Sequence, residues 1–210
     1  MRLRQPIRDL FLATWEREAE RIGAQLPDGF EPITIGGRAL VAVACFRNRL
    51  ARLGLLPVPP YGEIDLRTFV TDREGSPAVF IFNFFVPPVG LAASPFGVPV
   101  EIARISVEKG RVSAPRLNVS ARYTLGGLAE LGDREAALSA HPSAYWLKSG
   151  RLRHMVGGYH GVTWRQAELS GGARFGPAAR FGLDPGRPEH ALYADRAELR
   201  AELPPRKLAR

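Results

Sequence analysis

Long apolar runs are missing from this chain: none approaches the roughly 20 residues that cross a bilayer. No membrane partner is therefore expected. The opening residues, MRLRQPIRDLF, also lack the apolar core and small-residue cleavage site of a secretory leader, so the expected location is cytoplasmic. Cysteine is nearly absent, and a lone Cys45 excludes a disulfide framework and a cysteine-based zinc site. It sits in the apolar run AVACF, where a buried, inert thiol is expected. Lysine is scarce: Lys109, Lys148 and Lys207 are the only lysines among 29 basic residues. Helix-turn-helix, zinc-finger and RNA-recognition signatures are lacking, and the arginines are scattered along the sequence. The net charge of +8 thus predicts a general positive field that favours anionic small-molecule ligands, with no specific nucleic-acid partner. There is no P-loop, dinucleotide fingerprint or Gly-x-Ser-x-Gly elbow, and no HxH or HExxH pair. Neither a cofactor nor a metal is expected.

What is present is a β-type sequence. The 22 glycines and 18 prolines suit short strands joined by turns, and 210 residues suffice for one sizeable core. No linker divides the chain, so residues 1–210 are expected to form a single domain. Glu63, Asp65 and Arg67 alternate with Ile64, Leu66 and Thr68, which puts the charged groups on one face of a strand over Glu63–Thr71. Ala78–Val86 is apolar on both faces and should be covered on both sides. Further strands are expected at Phe30–Ile35, Arg38–Phe46, Val100–Val107, Leu117–Leu125, Ala144–Leu147 and Arg151–Val156. Ile7–Trp15 fits helix or strand, and Glu16–Gln25 reads as a helix. A short helix is expected near Ala178–Leu183, and Ala191–Leu203 reads as a final strand pair or an edge strand. The fold class is mainly β with minor α: a curved antiparallel β-barrel with one or two short helices packed on it.

Several blocks carry a family resemblance over nearly the whole chain. They are WEREAERIGAQLPDGFEPITIGGRALVAVACF, YGEIDLRTFV, FGVPVEIARISV, YWLKSGRLRHMVGGYHGVTWRQAEL and ALYADRAELRAELPPRKL. In this order they resemble the uncharacterised bacterial YqjF-like family. The resemblance implies the acetoacetate-decarboxylase-like fold, with barrel closure around a small cavity. Acetoacetate decarboxylases form a Schiff base through a lysine of lowered pKa beside a second lysine. The resemblance puts that pair near Ser94-Pro95 of Ala93–Pro99, and neither residue can form a Schiff base. Decarboxylation by that route is therefore not expected here. The acidic residue that starts the decarboxylases' hairpin corresponds to Glu63.

These readings give candidate residues. Glu63 is a candidate acid or base, and Arg67, two positions further along the same face, a candidate anion anchor. The bland alternative for the pair is a buried ion pair that fixes strand register. Arg104 can bind a carboxylate if it faces inward. His160, in GGYHGVTW, is a candidate second proton-transfer group. Ser94 and Tyr145 are candidate ligand-facing residues, and His141 and His190 read as solvated loop residues. The expected function is a small-molecule-binding barrel, with chemistry on a carbonyl or carboxylate compound without a Schiff-base lysine. A non-catalytic carrier or sensor is the alternative, as is a structural protein whose cavity is plugged by its own side chains. Exposed strand edges permit contacts between copies of a homo-oligomer.

Overall fold

Period-two alternation between turn residues makes strands here, and nearly all of the strands join one sheet. The computed structural model describes residues 2–49, 51–53, 56–91, 98–130, 132, 141–202 and 204–207. Among these residues nine strands are at least five residues long. They are β1 (Arg2–Glu18), β2 (Arg38–Asn48), β3 (Tyr61–Thr71), β4 (Pro77–Val86) and β5 (Val119–Leu128). The others are β6 (Ser143–Lys148), β7 (Arg151–His160), β8 (Arg165–Leu169) and β9 (His190–Glu202). Their order across the sheet is β5-β8-β9-β1-β2-β3-β4-β6-β7. β7 also pairs back onto β9, so the path from β9 through β1 to β7 returns on itself and the sheet is strongly curved.

The sheet is mixed, where the sequence reading expects it antiparallel throughout. β4 runs parallel to β6, through Val79↔Ala144 and Phe80↔Tyr145, and parallel to the short strand Val100–Ile102. Parallel neighbours need a long crossover, and the stretch between Val86 and Ser143 supplies one. The expected strand Val100–Val107 is broken into Val100–Ile102 and Ser106–Glu108.

β1 explains the ambiguity of the first residues. Asp9 has φ 53°, and the β1–β2 register shifts between Arg8 and Phe11. Such a bulge moves the inward face by one residue. Ile7 and Leu10, three residues apart, therefore pack on one face while Phe11 packs on the other, and with both faces covered the buried set imitates a helical spacing. The strand then continues to Glu18, with Glu16, Arg17 and Glu18 opposite Leu40, Ala39 and Arg38. The expected helix is therefore cut down to Ala19–Gly23, with Ile22 buried. β9 is not an edge strand: it pairs with β1 from His190 to Glu202 and lies between β1 and β8. The short helix near Ala178 is a 3-10 helix at Gly176–Phe181.

The sheet buries apolar side chains on both faces. On one side Phe11, Trp15, Val43, Ile64, Leu66, Phe85 and Tyr193 form a cluster. On the other side Leu10, Leu12, Ala42, Phe46, Phe69, Ile81 and Trp146 form a second, and Phe30, Phe80 and Tyr145 anchor a third.

β7 changes partner at a glycine pair. Its residues up to Val156 pair with β6, whereas Gly157–His160 pair with β9. A Cβ on Gly158 would stand 2.3 Å from the carbonyl oxygen of His141, so the two backbones meet where a side chain cannot fit. Gly158→Ala is expected to destabilise the protein by about 2–3 kcal/mol, as overpacking does. Gly127→Ala, at a site with nothing within 4 Å of the new Cβ, is expected to stay within about 0.5 kcal/mol of wild type. Denaturant melts of the two variants check this.

Candidate functional site

The alternation of β3 builds the site. Glu63, Asp65 and Arg67 share one face, while Ile64 and Leu66 pack into the cluster on the other. The cross-strand neighbours of Asp65 and Arg67 on β2 are Ala44 and Ala42, so small residues flank the large charged ones. On the other side the β3–β4 register shifts between Leu66 and Arg67. A bulge there re-aims side chains beside the charged pair. A cavity of about 70 Å³ lies against this face, lined by the three charged residues together with Phe46, Ile81, His141 and Tyr159.

Glu63 is held by a chain of side chains from three strands. Asn48 Nδ2 of β2 donates to Glu63 Oε2 at 2.7 Å, and Gln5 of β1 donates to the Asn48 side-chain oxygen. The Tyr61 hydroxyl, on the same face of β3, also donates to Glu63. Burial, and then the charge of Asp65, push the Glu63 carboxyl up to about 7, against the pull of Asn48, Arg67 and Tyr61. A carboxyl that titrates there can release or take up a proton near neutral pH.

Arg67 and Asp65 form a two-point buried ion pair, with Nε and a terminal nitrogen of Arg67 donating to the two Asp65 oxygens. Burial alone would pull the guanidinium down, but Asp65 beside it carries it above its ordinary value. Burial pushes the Asp65 carboxyl up, against Arg67. Arg67 also donates to the Tyr159 hydroxyl at 3.0 Å and lies 5.4 Å from the centre of that ring. Having accepted from Arg67, the Tyr159 hydroxyl keeps its own proton to donate. Burial raises it to about 12, so it stays protonated. The site thus offers an acid or base at Glu63, a fixed donor at Tyr159 and an ion pair that orients the donor.

A family model matches residues 4–198. The chain belongs to DUF2071, a family of uncharacterized conserved proteins. Acetoacetate decarboxylase from Legionella pneumophila is similar in structure, with TM-score 0.66 and 16% identity over 99% of this chain and 87% of that one. The enduracididine biosynthesis enzyme MppR complexed with pyruvate aligns with TM-score 0.61 and 14% identity, over 99% of this chain and 90% of that chain. An acetoacetate decarboxylase-like enzyme from Sphingomonas wittichii aligns with TM-score 0.57 and 15% identity, over 99% and 92%. At these identities the likeness establishes the fold, the one the YqjF-like resemblance implies. Among curated proteins no sequence match was found.

In this DUF2071 chain the structure brings together only part of the expected set. Glu63 and Arg67 meet at the cavity. His160 does not: it follows Tyr159 on β7, so it faces the other way and is exposed. Arg104 lies in the break between two short strands and is exposed. Tyr145 is buried, but it faces away from the cavity. Its hydroxyl donates to Asp72 Oδ2 at 2.8 Å and its ring stacks on His154, 4.4 Å between centres. Ser94 lies outside the described residues. Four residues escaped the sequence reading of the site. Gln5 and Asn48 carry no signal beyond their type, and Tyr159 stands beside His160, whose proton chemistry makes it the stronger candidate on sequence. His141, expected in solvent, is buried against Phe69 and lines the cavity. Among the described residues no lysine lines the cavity: Lys109 pairs with Asp195, and Lys148 Nζ lies 3.4 Å from the Val98 carbonyl oxygen. No helix among the described residues is long and apolar enough to cross a membrane.

Proposed function

We propose that the cavity binds a small carbonyl or carboxylate compound, such as a short keto acid, and that Glu63 transfers a proton to or from it. The convergence of Glu63, Arg67 and Tyr159 on one cavity carries this reading. The Tyr159 hydroxyl donates to the ligand's oxygen, Arg67 holds that hydroxyl in place, and Glu63 acts at the neighbouring carbon. No Schiff base is involved, in keeping with a lining that lacks lysine among the described residues. A volume of about 70 Å³ lies far below the ~300–1,000 Å³ of drug-sized ligand sites, so only a compound of a few heavy atoms, such as a short keto acid, fits this reading. The fold relative MppR is described in complex with pyruvate, and that makes pyruvate the first probe. A cavity at Glu63 also speaks for a ligand-binding role, catalytic or not, over a lumen plugged by side chains.

Calorimetry with pyruvate and acetoacetate tests the proposal. Wild type is expected to bind at least one of them, and Tyr159→Phe to bind it about tenfold more weakly, the worth of one hydrogen bond to a charged group. Consumption of the bound compound by wild type and not by Glu63→Gln separates an enzyme from a carrier. If neither keto acid gives heat or raises the melting temperature, the proposal fails.

A further inference from the structure

On the sheet face opposite the cavity, the fold gathers arginines that lie far apart in the sequence. An open cleft of about 580 Å³ is lined by Arg8, Arg47, Arg49, Arg165 and Arg196, with Asp9 and Asp195 as the acidic members. Three of the arginines stand in one row. Arg8 of β1 is the direct cross-strand partner of Arg47 on β2 and of Arg196 on β9. At about 4.8 Å between neighbouring strands, the row spans roughly 10 Å. Like charges placed directly opposite each other destabilise a sheet. Five arginines and two aspartates give the lining a formal charge of +3.

The acidic residues are already committed. Asp9 Oδ2 accepts from Arg47 at 2.7 Å, and Asp9 Oδ1 accepts from the Tyr193 hydroxyl at 2.9 Å. Asp195 accepts from Lys109 at 3.0 Å. Arg165 is fixed in place by two bonds to the Gly126 carbonyl oxygen, at 3.1 and 2.9 Å. Among the described residues Arg8, Arg49 and Arg196 have no carboxylate partner. The Thr163 hydroxyl and the 69% exposed side chain of Leu128 complete the wall, offering a neutral hydrogen-bonding group and an apolar rest.

We infer that this cleft is a binding site for a small phosphorylated compound, with the row Arg47–Arg8–Arg196 holding its phosphate groups. Arginine forks match phosphate oxygens two at a time, and a row about 10 Å long holds a diphosphate better than a single carboxylate. The cleft has the size of small-molecule sites, which run from about 300 to 1,000 Å³. Leu128 gives the carbon part of the ligand a surface to rest on. The site is separate from the Glu63 cavity: Phe46 lines the cavity, and Arg47, next on the same strand, faces the cleft.

Calorimetry with inorganic diphosphate tests the inference on the whole chain, using Arg8→Gln, Arg196→Gln and, as a control outside the cleft, the exposed Arg122→Gln. Wild type is expected to bind diphosphate more tightly than monophosphate, with affinity falling as salt is raised. Arg8→Gln and Arg196→Gln are each expected to weaken binding about tenfold or more, the worth of one hydrogen bond to a charged group. Arg122→Gln is expected to bind as wild type does. Melting curves without ligand should show neither cleft variant less stable than wild type, because each relieves the repulsion in the row. The inference is overturned if diphosphate gives no heat at millimolar concentration, or if Arg122→Gln weakens binding as much as the cleft variants. Binding of a single-stranded oligonucleotide with no response to diphosphate would also overturn it, in favour of a nucleic-acid surface.

Discussion

Arg67→Ala is expected to destabilise the protein by about 3–5 kcal/mol, the range for removing one partner of a buried ion pair. At about 2–4 °C per kcal/mol for a chain of this size, the melting temperature should fall by roughly 6–20 °C. The reason is Asp65, whose side chain is only 1% exposed and has its two oxygens on Arg67. Without the guanidinium, a buried carboxylate must stay charged with no partner or take up a proton. The loss should therefore shrink as pH is lowered and Asp65 becomes neutral. Removing both charges, as in Asp65→Leu with Arg67→Met, should recover most of the stability, because an apolar pair of similar volume replaces a buried ion pair at little cost. A loss below about 1 kcal/mol for Arg67→Ala would mean that the pair is solvated in solution.

Glu63→Gln has the opposite sign. Burial holds the folded Glu63 carboxyl up at about 7, whereas an unfolded glutamate titrates at its ordinary 4.5. The folded state therefore holds the proton more tightly, and the group's contribution is full below the unfolded value and lost as pH rises through the folded one. Across that window wild type should lose on the order of 3 kcal/mol from this group, at 1.36 kcal/mol for each unit of difference. Glu63→Gln keeps the shape and a hydrogen-bond acceptor for Asn48 without the charge. It should be more stable than wild type at about pH 8 and lack the decline between about pH 4.5 and 7. Parallel pH–stability curves for the two proteins check this. Curves that superimpose would show that Glu63 titrates normally.

The site's first half is legible in YGEIDLR, because period two alone places Glu63, Asp65 and Arg67 on one face. Its second half is not, because face membership fails where strands bulge or change partner. In GGYHG the sequence offers Tyr159 and His160 equally, and histidine draws attention for its proton chemistry. Which of the two turns inward depends on how β7 leaves β6 for β9 at Gly157, a tertiary event. The β1 bulge hides a strand in the same way, since the left-handed Asp9 puts Ile7 and Leu10 on one face at a helical spacing. Gln5 and Asn48 were illegible for a different reason. Amides are common on surfaces, and only the register Ile7↔Asn48 and Asn48↔Tyr61 brings them to Glu63. The arginine cleft shows the same limit, because residues scattered in sequence become a row once β1, β2 and β9 align. The mainly-β class and the family were readable because many weak signals agree along the whole chain.

The most direct test of the central claim is a carboxyl-carbon NMR titration of Glu63 with and without pyruvate. The free protein should give a midpoint near 7. An anionic ligand beside Glu63 disfavours its charged form, so bound pyruvate should move the midpoint upward, and affinity should weaken as pH rises past neutrality. An ordinary glutamate midpoint, or one near 7 that saturating pyruvate leaves unmoved, would contradict the claim that Glu63 faces a keto-acid site.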